Sequence, residues 1–180
     1  LAPEVTVGIM GMGVLGRACA GALRGMGYNV IGWSRTPKEF DEVQNFDGLE
    51  GLEKFLPRTQ VLICLLPLTA ETEGILGRGT FNRLPAGAAV INVGRGGHLV
   101  EDELLGALDK GKVEVAVLDV FNEEPLPVDH PLWDHPRVFL TPHIASVTTP
   151  ESAIISVAEA VNELRKGLPL TNLVDTKLGY

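Results

Sequence analysis

Short apolar runs alternate along this chain with stretches in which apolar residues recur every three to four positions. The run VTVGIM predicts a strand over 5–10. Leu15, Ala18, Cys19, Ala22, Leu23 and Met26 then share one side of a helix over 15–26, which Gly27 closes as a C-terminal cap. A strand is predicted over 29–33 and a short helix over 49–56, stopped by Pro57. The runs over 61–66 and 88–93 are continuously apolar, as in strands covered on both faces. A helix over 100–110, strands over 113–121 and 138–141, and a helix over 150–166 complete the pattern. Pro125, Pro127, Pro131 and Pro136 mark one long loop before the last strand.

Repeated strand-helix-strand order implies parallel pairing, because parallel neighbours need a crossover connection. The expected fold is therefore α/β: a doubly wound parallel sheet, Rossmann-like, with helices on both faces. Ligands bind such sheets beyond the carboxyl ends of the strands. That rule gathers GMGVLG, WSRT, LLPLT, NVGRGG, DVFNEEP and TPHIAS along one edge, since each follows or ends a predicted strand.

Composition narrows the function. The 180 residues are 45% apolar, enough for a real core and too many for disorder. A net charge of -8 argues against nucleic acid as the main partner, which needs a basic face, but leaves room for a small anion. No apolar run approaches the roughly 20 residues of a membrane span, and no signal-peptide pattern is visible. Cys19 and Cys64 lack metal-ligand spacing, so no metal is expected, and they point to a reduced, cytosolic setting. Because Leu1 is followed almost directly by a strand, an upstream segment is expected.

In GMGVLG, Gly11 permits a tight turn, Gly13 lets the backbone approach a pyrophosphate, and Gly16 lets helix and strand pack closely. The helix amino terminus would meet the phosphates with free N–H groups and the positive end of its dipole. An NAD site usually has Asp or Glu at the end of the second strand to accept from the ribose. Here the candidates are Ser34, Arg35 and Thr36, none acidic. Arg35 can grip a 2′-phosphate bidentately, and Ser34 or Thr36 can donate to it, so the expected cofactor is NADPH.

Three further polar residues follow three different strands: Arg95 in NVGRGG, Glu124 in FNEEP and His143 in TPHIAS. Arg95 suits the carboxylate of a 2-oxo acid and would polarise its carbonyl. His143 would protonate the carbonyl oxygen as hydride reaches the carbon. Glu124 would hold the other imidazole nitrogen and favour the protonated ring. Asp119, ending VLD, could accept from a nicotinamide carboxamide. His98 lacks this strand-end placement, and His130 and His135 read as surface residues of the Pro-rich loop.

With these residues assembled, the chain resembles the D-2-hydroxyacid dehydrogenase family. The resemblance rests on GMGVLG, the run NVGRGGHLVEDELLGALDKGKVEVAVLDVFNEEPLP, and TPHIAS, in order and spacing, with GWSRTPK, LLPLTAETEGIL and NLVDTKLGY beside them. It implies reduction of a small 2-oxo acid such as glyoxylate or hydroxypyruvate. Arg95, Glu124 and His143 would be the catalytic residues. Val14 and Leu15 would join the three glycines at the pyrophosphate, Leu66, Pro67, Val93 and Gly94 would line the cofactor, and Asp119 would face the nicotinamide. The family's substrate lobe forms mainly from sequence before the glycine loop. Residues 1–146 would then be the dinucleotide-binding domain and 147–180 the helix and tail that complete the absent lobe. A cytosolic homodimer, paired through the cofactor-binding domain, is also implied. The alternative is a dinucleotide-sensing module of the co-repressor kind, without turnover.

Overall fold

The computed structural model describes residues 1–37, 40, 43–170 and 173–174. Of the ending NLVDTKLGY only Leu173 and Val174 fall within it; the rest, like Lys38 of GWSRTPK, lies outside the described residues. Two compact units divide the chain, Leu1–His143 and Ile144–Tyr180.

In the first unit, seven strands form one sheet with every neighbouring pair parallel: β1 (Thr6–Met10), β2 (Asn29–Ser34), β3 (Gln44–Asp47), β4 (Val61–Cys64), β5 (Ala88–Asn92), β6 (Val113–Leu118) and β7 (Val138–Leu140). The spatial order is β3-β2-β1-β4-β5-β6-β7, so the chain winds outward from β1 one way and then the other. The expected doubly wound sheet is present. The point where strand order reverses lies between β1 and β4, beside the glycine loop, where such folds open a crevice.

Burial explains why the central strands read as unbroken apolar runs. Val7 and Ile9 of β1 pack with Ala20 of α1 (Val14–Gly25) on one face. Met10, Leu62 and Val90 pack on the other with Phe55 of α2 (Gly48–Phe55), Phe81 of α3 (Arg78–Arg83) and Leu104 of α4 (Glu101–Asp109). Phe55 and Phe81 are almost fully buried, each contributing about 1.5–3 kcal/mol of transfer free energy. Cys64 lies in the same core, and burial pushes its thiol up to about 12, which leaves it a packing residue.

The structure adds two elements that the periodicity does not predict, β3 and α3. Strands β4, β6 and β7 also stop short of the predicted ends, because the residues after Cys64, Leu118 and Leu140 leave the ladder to build the rim. His130 and His135 are not the free surface residues expected from a Pro-rich loop. Their side chains are mostly covered. His130 Nε2 lies 3.4 Å from Glu101 at the start of α4, and His135 Nε2 lies 3.6 Å from Asp109 at its end. The loop is thus clasped to both ends of one helix.

The second unit holds α5 (Pro150–Arg165), with Pro150 in its first turn. Thr149 caps it, its hydroxyl accepting from the Ser152 amide at 3.3 Å. No helix among the described residues is long and apolar enough to cross a membrane.

Candidate active site

The glycine loop is built by contacts that leave no room for a Cβ. Gly11 N donates to the Trp33 carbonyl at 2.9 Å, and Gly11 takes a positive φ of 102°. A side chain there would come within 2.6 Å of the Leu65 carbonyl oxygen. One turn into α1, a Cβ on Gly16 would come within 2.1 Å of the Gly11 carbonyl oxygen. Gly13, the N-cap of α1, differs: nothing lies within 4 Å of where its Cβ would be. The loop is therefore tight where it packs and open at the helix amino terminus, with Val14 and Leu15 exposed around the opening. That shape, with unspent first-turn N–H groups, fits a pyrophosphate.

Residues at the end of β2 behave differently from one another. Ser34 is buried, its hydroxyl donating to the Thr36 carbonyl at 2.8 Å and accepting from Asn45 at 2.8 Å. Thr36 is exposed. Arg35 reaches across to the loop after β4, where its Nη1 meets Glu71 Oε2 at 2.6 Å.

The loops after β4 and β5 are tied together by a residue the sequence reading passed over. Leu66 and Gly94 are buried, Pro67 and Val93 half-buried. A Cβ on Gly94 would lie 2.9 Å from His98 Nδ1. His98 is itself fully buried, with Nε2 3.2 Å from the Pro67 carbonyl and Nδ1 accepting from the Arg95 amide at 3.0 Å. An accepting Nδ1 belongs to the neutral tautomer whose proton is on Nε2, facing the Pro67 carbonyl. Burial lowers the His98 pKa below its ordinary 6.5, the hydrogen bond to the Pro67 carbonyl partly opposing it. The only sequence signal was its place three residues after Arg95.

A run of main-chain contacts carries this framework to the far side. Asn92 Nδ2 donates to the Arg95 carbonyl at 3.1 Å, and the Asn92 carbonyl accepts from the Asp119 amide at 3.0 Å. A Cβ on Gly96 would fall 1.8 Å from the Phe121 carbonyl oxygen, so the Arg95 loop lies directly against the Glu124 loop. The Asp119 carbonyl accepts from the His143 amide at 2.9 Å, and the Asp119 carboxylate from the Thr141 hydroxyl. Asp119 thereby braces the turn that bears His143.

Of the three expected catalytic residues, the structure joins two side chain to side chain. His143 Nδ1 lies 2.7 Å from Glu124 Oε2, while Glu124 Oε1 accepts from the Phe121 amide at 3.0 Å. The hydrogen bond to His143, then that from Phe121, holds the Glu124 carboxyl below its ordinary 4.5. Such a carboxylate supports the fold above its ordinary value, and that support is lost as pH falls through the depressed one. His143 has a left-handed backbone, φ 54°, uncommon outside glycine and frequent at functional sites. Arg95 is the third. Its backbone is fixed by His98 and Asn92, and its exposed guanidinium folds back on the Gly94 carbonyl at 2.6 Å.

A doubly wound sheet with a glycine loop at its switch point and a polar rim beside it defines a dinucleotide-binding domain. The chain belongs to the D-isomer specific 2-hydroxyacid dehydrogenase family, whose NAD binding domain matches residues 2–145. It is 50% identical to glyoxylate/hydroxypyruvate reductase A of Serratia proteamaculans over 97% of this chain and 56% of that protein. The chain thus spans little more than half the length of that relative. A D-isomer specific 2-hydroxyacid dehydrogenase from Xanthobacter autotrophicus Py2, solved with NADPH and MES, superposes with a TM-score of 0.96 at 44% identity, over 99% of this chain and 74% of that one. An NADPH-dependent glyoxylate/hydroxypyruvate reductase from Sinorhizobium meliloti, solved with NADP and sulfate, gives 0.93 at 43% identity, over 99% and 58%.

Proposed function

We propose that the protein reduces a small 2-oxo acid, glyoxylate or hydroxypyruvate, to the 2-hydroxy acid with NADPH, and that this chain carries the dinucleotide site and the reacting side chains. The observation that carries the proposal is the 2.7 Å pair of His143 and Glu124, formed between loops that follow different strands. With Nδ1 committed to Glu124, Nε2 is left for substrate. The named relatives are reductases and lend the sensing-module alternative no support.

When bound, the reduced nicotinamide supplies hydride to the carbonyl carbon. Arg95 binds the substrate carboxylate and draws charge toward the carbonyl oxygen. His143 gives its Nε2 proton to that oxygen, and the Glu124 carboxylate accepts from Nδ1 and fixes the plane of the ring. Gly11, Gly13, Val14, Leu15 and Gly16 would hold the pyrophosphate, Arg35 and Thr36 the adenosine end, with Ser34 beneath them donating to the Thr36 carbonyl, and Leu66, Pro67, Val93 and Gly94 the nicotinamide half. Asp119 braces the His143 turn and would meet the nicotinamide amide. Residues 1–146 form the dinucleotide-binding domain, and 147–180 serve the substrate lobe. The same reading includes a cytosolic homodimer joined through the dinucleotide-binding domain, which a mass measurement in solution tests.

The proposal is tested by expressing the complete reading frame and following NADPH oxidation with each acid. His143→Gln should lower kcat by about a hundredfold or more while NADPH binding persists. Undiminished turnover by that variant, or no oxidation of NADPH with either acid, overturns it.

A further inference from the structure

The residues ending β2 lack a carboxylate, yet the fold brings one there from another loop. Glu71 Oε2 lies 2.6 Å from Arg35 Nη1, thirty-six positions apart in sequence. Glu71 is not carried on a loose strand of surface. Its neighbour Thr72 is buried, its hydroxyl donating to the Pro67 carbonyl at 2.7 Å and accepting from the Thr69 amide at 2.8 Å. The Glu73 amide closes the same turn on the Thr69 carbonyl at 2.9 Å. The backbone under Glu71 is thus anchored to the loop that His98 ties to Arg95.

We propose that Glu71 is a specificity-determining residue that competes with a 2′-phosphate for Arg35 and so limits the preference of this domain for NADPH over NADH. The inference rests on the reading of Arg35 given above. The ion pair is solvent-exposed, with side chains 36% and 65% accessible, so it adds little to the stability of the fold. Its consequence falls on the ligand. A ribose phosphate carries close to two negative charges, and gripping it with Arg35 requires the guanidinium to leave Glu71 or to share it, with like charges a few ångströms apart. A free 2′-hydroxyl meets the opposite situation. It can donate to the Glu71 carboxylate, the role an acid at the end of the second strand plays in NAD sites. One carboxylate therefore weakens the phosphorylated cofactor and assists the plain one.

The test titrates NADPH and NADH into the 180-residue chain and into Glu71→Gln, by fluorescence of the reduced nicotinamide. Glutamine has the size and shape of glutamate and the side chain is exposed, so the variant should fold as the parent does, which circular dichroism checks. Glu71→Gln should bind NADPH about three- to tenfold tighter and NADH no tighter, and the gain should shrink in high salt. In an Arg35→Ala background most of that gain should vanish, because there is no guanidinium left to contest. An unchanged NADPH/NADH ratio, or the full gain persisting without Arg35, overturns this proposal alone. If the unaltered chain binds neither dinucleotide, the reading of the domain falls and this inference with it.

Discussion

The two halves of the rim are made of different material. Around β1 and β2 the construction is main chain: Gly11 against Leu65, Gly16 against Gly11, and an open N-cap at Gly13. Around β5 to β7 the proposed working groups are side chains, Arg95, Glu124 and His143, set on a framework of buried polar braces formed by Asn92, His98 and Asp119. A phosphate group is well met by N–H groups and absent side chains, whereas proton transfer needs a titratable head group at a fixed angle. The halves should therefore fail differently: one by the addition of atoms, the other by their removal.

Adding a methyl group breaks that contrast most severely where packing is closest. Gly16→Ala and Gly96→Ala each drive a Cβ into a carbonyl oxygen, at 2.1 and 1.8 Å. Each should cost more than about 3 kcal/mol, read as a large fall in the urea midpoint. Gly96 lies on the side-chain half, so the fold of both halves rests on close main-chain contact, and the contrast between them is one of function. Gly13→Ala separates fold from function more cleanly. Its Cβ meets nothing, so the melting temperature should hold while NADPH affinity drops about tenfold, because the methyl occupies the phosphate approach. Intact affinity would show that the phosphates lie elsewhere.

The smallest effect concerns His98. Its folded pKa is depressed, so the unfolded chain takes up a proton first as pH falls below 6.5. Stability should decline from there through the lower folded value, by at most ~1.4 kcal/mol per pH unit. His98→Gln should remove that part of the slope in denaturation curves taken across this range. An identical slope would mean that His98 is not the group resisting protonation.

The sequence made the central sheet legible because strands buried on both faces must be apolar throughout, and the rim legible because doubly wound sheets gather their strand ends. What escaped was short or non-local. Strand β3 reads QNFD, one aromatic among polar residues, because it lies on the sheet edge. Helix α3 has six residues, too few to display a period. Arg95, Glu124 and His143 could be picked out as candidates by type and position, and the contact of Glu124 with the His143 ring was expected from the same residues and is present. Glu71 carried no signal at all, since its partner is set by the spacing of β2 and β4 in the sheet. His98 was passed over because its significance is a pair of backbone partners from two loops.

The left-handed backbone at His143 bears on any attempt to make this domain more heat-resistant. Asparagine and glycine tolerate that conformation better, and relief of such strain is worth roughly 1 kcal/mol. A library screened for survival at high temperature would enrich both at position 143, and each such winner would lack an imidazole. If His143 has the proposed role, durability and proton delivery pull in opposite directions at this one residue, so it should be held constant while the rest of the domain is diversified.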